Sequence, residues 1–171
     1  MKLARSRLAP ALFVLLACCT GGTAQNEPTR LEGMVAFPPR DTVRFGVPAN
    51  AHRCTEGRTA MLLQALNPEG NGVLVRFRHP DSVAAGTYRV VISADTSEPS
   101  AVVAVRYQLR ETAHSFAADS GTVELHFEGG KLSGRIQATG IENGIRTPTR
   151  ITYHDVPAPA RADTVSCAAQ P

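Results

Sequence analysis

The chain has 171 residues, a formal net charge of +3, four cysteines, no tryptophan and only 5% aromatic residues. Lys2, Arg5 and Arg7 account for the whole charge surplus, so the remainder is formally neutral and lacks the basic field that nucleic-acid binding needs. The scarcity of aromatic rings also removes the flat platforms on which sugars and single-stranded nucleic acids stack.

The first element is an address. Residues 1–7 are basic without an acidic residue, and residues 8–17 are almost wholly apolar with Pro10 inside them. A basic stub followed by about ten apolar residues is a signal peptide, too short to span a bilayer as a helix. The stretch LLAC at positions 15–18 resembles the lipobox of bacterial lipoproteins, with Leu15 at minus three, Ala17 at minus one and Cys18 at plus one. That resemblance implies cleavage before Cys18 and a diacylglycerol on its thiol, since a thiolate is the nucleophile that takes up the lipid. The alternative is cleavage after Ala24, at the small residues GTA, which would discard both Cys18 and Cys19. Adjacent cysteines lack the spacing of zinc ligands. Residues 18–30 then read as a polar, flexible tether, and residues 31–171 as one domain.

Within 31–171, alternation and turn signals dominate over helical periodicity. Strands are predicted at 31–37 and 42–47, separated by Pro38 and Pro39. Segment 59–66, TAMLLQAL, is apolar on both faces and reads as a central strand or, as the alternative, a short helix. After the turn NPEGNG come strands at 73–79, 86–94 and 101–110. Val123, Leu125 and Phe127 alternate with Glu124, His126 and Glu128, and Gly129–Gly130 offers the positive φ values of a two-residue hairpin turn before the returning arm of Leu132, Ile136 and Ala138. A polar loop, IENGIRTPT, leads to a last strand at 150–156. Eight or nine short strands with frequent turns predict an all-β fold: a single antiparallel β-sandwich, or alternatively a small up-and-down barrel.

Cys54 and Cys167 are an even pair in an exported chain and predict a disulfide. It would close a loop of more than a hundred residues, worth about 4–5 kcal/mol in the chain-entropy model.

Four constellations could carry chemistry. Glu124, His126 and Glu128 share one strand face, but neighbours two apart on a strand sit about 7 Å apart and do not converge on an ion by themselves. His114, Ser115 and Asp119 supply the residue types of a serine triad without a nucleophile elbow or an oxyanion hole. His154 and Asp155 suit a salt bridge at the rim. Arg76, Arg78, Arg89, Arg106 and Arg110 lie on candidate strand faces and, if those strands are neighbours, would form a patch for phosphate, carboxylate or lipid headgroups. None of these assembles a reactive group. The expectation is therefore a non-catalytic binding or structural protein of the cell envelope, lipid-anchored to a membrane through Cys18. It would have no cofactor or metal, and its partner would be another envelope protein or a small ligand. The alternative is a small-ligand carrier with a barrel cavity; a metal-dependent or hydrolytic enzyme is the third reading.

Overall fold

A computed structural model describes residues 30–37 and 41–167 of the chain. The expected signal segment, Cys18 and nearly all of the expected tether lie outside the described residues. The described residues form eleven strands and no helix: β1 (Leu31–Phe37), β2 (Asp41–Val47), β3 (Ala49–Cys54), β4 (Gly57–Leu66), β5 (Gly72–Arg78), β6 (Gly86–Val90), β7 (Ser100–Leu109), β8 (Thr112–Glu128), β9 (Lys131–Glu142), β10 (Ile145–Pro157) and β11 (Thr164–Val165).

The all-β expectation holds, but the arrangement differs from two stacked sheets of eight or nine strands. All eleven strands join one sheet, in the order β11-β3-β4-β5-β7-β6-β8-β9-β10-β1-β2. It curls into an open half-barrel rather than closing as an up-and-down barrel. The strand at one margin, β2, is followed at once in the chain by β3, which lies next to the opposite margin, inside β11. β2 pairs with β1 up to Val47, Pro48 follows, and β3 begins at once to pair with β4. Proline lacks an N–H and cannot continue a ladder, so the strand breaks there and changes partner. Because one residue spans only a few ångströms, the sheet must bend far enough to bring the end of β2 and the start of β3 together at Pro48, though it stays open along its margins.

Bulges add to the bend. In β8 the register shifts between Ala118 and Ser120, and in β10 between Tyr153 and Val156. The bulge in β8 lets one long strand serve two neighbours: its first half pairs with β7 and its second half with the short β6. Both flanking hairpins turn on residues with positive φ, Gly129–Gly130 between β8 and β9 and Asn143–Gly144 between β9 and β10. The Gly-Gly turn is where the sequence predicts it. The Asn-Gly turn lies in the segment read as a polar loop, so β9 and β10 each run further than expected.

The concave face holds the main core. Leu31, Val35, Val47, Leu63, Val75, Phe77, Val103, Tyr107, Val123, Leu125, Ile136, Ile151 and Tyr153 belong to one buried cluster drawn from nearly every strand. A second, small cluster sits on the convex side: Ala60, Leu62, Cys54 and Cys167, with Leu74 and Val165 against it. The predicted Cys54–Cys167 disulfide is formed. It pins the end of the chain over β3 and β4, where β11 pairs parallel to β3. This explains why β4 is apolar on both faces: Met61, Leu63 and Ala65 enter the main core, while Ala60 and Leu62 are covered by the C-terminal segment.

Candidate anion-binding groove

The structure separates the triad types. Along β8, His114 points to the concave side and Ser115 to the convex side, as alternation requires. Asp119 lies at the bulge, where it accepts hydrogen bonds from Ser120 Oγ at 2.8 Å and Arg146 Nη1 at 2.7 Å. Those two partners, Ser120 first, hold its carboxyl below the usual aspartate range. His114 instead meets Glu142: the Glu142 carboxylate takes the Tyr107 hydroxyl on one oxygen and His114 Nδ1, at 2.5 Å, on the other. Tyr107 stacks on His114 with ring centroids 5.1 Å apart, and Phe37 packs on the imidazole from β1. Burial, then the Glu142 contact, pushes the Tyr107 hydroxyl well above its ordinary value of 10. The cluster ties the β7–β8 hairpin to the end of β9, and Glu142 is only 7% exposed. Its polar groups satisfy one another and make it a polar pin between these strands.

Glu124, His126 and Glu128 stand on the convex face of β8 opposite Arg135, Ser133 and Lys131 of β9. Their ligand atoms do not gather. Among the described residues one group, Cys54, Glu56 and Cys167, brings three metal-ligand types together, and both of its sulfurs are already bonded to each other. At the rim, Asp155 lies 3.9 Å from His154 Nδ1 but only 2.9 Å from Lys131 Nζ. Lys131 is the main cause of the lowered Asp155 pKa.

The five arginines singled out in the sequence do not form one patch. Arg76 pairs with Glu56 at 2.8 Å. Arg78 donates to the Asp95 carbonyl, and Arg89 reaches the Asp95 carboxylate at 3.5 Å and Ser97 at 3.2 Å. Arg106 lies six residues along β7 from Ser100, the residue opposite Arg78, which is roughly 20 Å of strand. Arg110 sits in the turn beyond β7, with a positive φ of 57°.

Another set of arginines does come together. On the convex face of the opposite flank, the ladder places Arg44 of β2 beside Met34 of β1, Met34 beside Arg150 of β10, and Arg150 beside Gln137 of β9. The next row carries Glu32, Thr152, Arg135 and, on β8, Glu124. With strands about 4.8 Å apart, the Arg44 and Arg150 backbones are about 10 Å apart, and Arg135 stands diagonally to Arg150 at roughly 7–8 Å. These residues line an open groove of about 790 Å³. All three arginines are exposed, and among the described residues none of them makes a side-chain hydrogen bond or an ion pair.

Chemically the groove is a donor surface. Each guanidinium presents a planar fork of N–H groups that fits phosphate or carboxylate two bonds at a time, and Gln137 and Thr152 add neutral donors. Arginine does not give up its proton in proteins, so these three side chains act as fixed positive donors, with the Glu32 carboxylate also in the lining. The sequence carried half of the signal: Arg44, Arg135 and Arg150 each occupy a polar position in a predicted or partly predicted strand. What it did not carry is that β1 lies between β2 and β10. No protein-family model matches the chain, nor does any curated protein or solved structure.

Proposed function

We infer that the chain is an exported, lipid-anchored protein of the cell envelope, and that its folded part is a non-catalytic module binding an anionic partner on the outside of the sheet. The observation that carries this reading is the groove of Arg44, Arg135 and Arg150, three neighbouring cations that outnumber the two carboxylates on the same rows, Glu32 and Glu124, and that form no ion pair among the described residues. Placing like charges side by side disfavours the free state, and an anion seated among them relieves it. The Cys54–Cys167 disulfide is compatible with an exported location. The concave face supports binding outside over carriage inside: Tyr107, Tyr153, Phe77, Leu63 and Leu125 fill it and are fully buried. A carrier reading would need that space for its cargo.

Mass spectrometry of the unreduced protein, extracted gently from its own membranes, tests the reading. A mass beginning at Cys18 with acyl chains supports the anchor. A mass beginning at Gln25 refutes it and leaves a soluble exported protein. An apolar molecule retained at one equivalent would replace the binding module with the carrier.

A further inference from the structure

The arginine groove lies on the strand that leaves the anchor. Cys18 is twelve residues before Arg30, and Arg30 leads directly into β1, which supplies Glu32 and Met34 to the groove. Fully extended, twelve residues reach at most about 40 Å. An anchor at Cys18 therefore keeps this face within a short radius of the headgroup layer. On the two rows that carry the groove, Arg44, Arg135 and Arg150 stand with Glu32 and Glu124, an excess of one positive charge. Met34, half-buried between Arg44 and Arg150, adds an apolar contact at the groove's centre.

We propose that this groove docks on the phosphodiester headgroups of anionic lipids in the membrane that holds the anchor, so that the half-barrel lies with its β1–β2–β9–β10 flank against the surface. Each guanidinium takes a phosphate oxygen pair, and the opposite flank, with the disulfide, faces away. The proposal deepens the anchored reading above and rests on it for the source of the phosphate.

The test is the reactivity of individual arginines toward phenylglyoxal, read by peptide mass spectrometry on the native exported protein. The protein is placed on vesicles containing phosphatidylglycerol and, separately, on vesicles of phosphatidylcholine alone. Arg44, Arg135 and Arg150 are expected to lose most of their reactivity on the anionic vesicles and to regain it at high salt. Arg106 and Arg110, exposed on the other side, should react equally on both. Arg150→Gln should weaken the protection of Arg44 and Arg135 about fivefold, the usual effect of one basic residue at an anionic surface. Equal reactivity of the three arginines on both vesicle types overturns the proposal. So does equal protection by inorganic phosphate without vesicles, which would mark a free-anion site. Protein found without acyl chains but still protected on anionic vesicles would refute the anchor and leave the docking face standing; acylated protein without protection would do the reverse.

Discussion

The two convex flanks of this sheet are built from the same kind of strand and end up opposite in character. On the β3–β4 flank the outward residues Ala60 and Leu62 are apolar and buried, with Leu62 only 4% exposed, because the C-terminal segment crosses over them and the Cys54–Cys167 bridge holds it there. On the β1–β2–β9–β10 flank no described segment crosses, and the outward residues are mostly polar, Glu32, Arg44, Arg135, Gln137, Arg150 and Thr152 around Met34. A one-sheet fold has no second layer to bury its convex face, so each part of that face is either covered by another part of the chain or written in polar residues. Where it is written in unpaired arginines, it is available to an anion.

The bridge offers the largest test of that contrast. Its ring spans 113 residues, so the double variant Cys54→Ser with Cys167→Ser should lose about 4–5 kcal/mol in chemical denaturation. A loss below about 1 kcal/mol would mean that the C-terminal segment covers Leu62 without covalent help. A smaller effect comes from trimming one outward residue on each flank. Leu62→Ala should cost about 2–4 kcal/mol, because the site is closed and leaves a cavity. Met34→Ala, at an open groove, should cost less than about 1 kcal/mol. Equal costs would show that the two flanks are packed alike.

Alkaline titration probes what both flanks share. Tyr107 and Tyr153 are fully buried on the concave side, and burial pushes both hydroxyls above the ordinary value of 10; Tyr88 is raised for the same reason. The folded chain therefore keeps these protons after the unfolded chain has released them. Stability is intact below pH 10 and falls as the pH rises above it, by up to about 1.4 kcal/mol per pH unit for each such tyrosine. Phenolate absorbance should appear together with unfolding. A gradual titration centred at 10 in the folded protein would contradict the buried hydroxyls. Arg150→Gln should leave the curve unchanged, since it lies on the other side of the sheet.

Much of the strand pattern was legible in local spacing. Val123, Leu125 and Ile136 announce their faces by alternation, and Gly129–Gly130 marks its turn because a two-residue hairpin needs positive φ. β3 escaped notice because ANAHRC is poor in branched and aromatic residues; it is a strand because β4 and β11 pair with it on either side. The Asn143–Gly144 turn carried a good local signal that was submerged in the polar run around it, and Pro148 obscured the start of β10. Of the groove, only the polar strand positions of its arginines were legible, and their meeting was not. Arg44 and Arg150 are separated by more than a hundred residues and meet across Met34 only through strand order.

The sequence by itself determined what depends on near neighbours: strands with one apolar edge, hairpin turns, and the pair of Cys54 and Cys167. The tertiary structure alone decided that the strands make one curled sheet rather than two stacked ones, that β2 becomes β3 across Pro48, that His114 meets Glu142 rather than Asp119, and which arginines stand together. The physical reason is that alternation specifies which face a residue takes, whereas register between distant strands depends on the closing of the whole ladder.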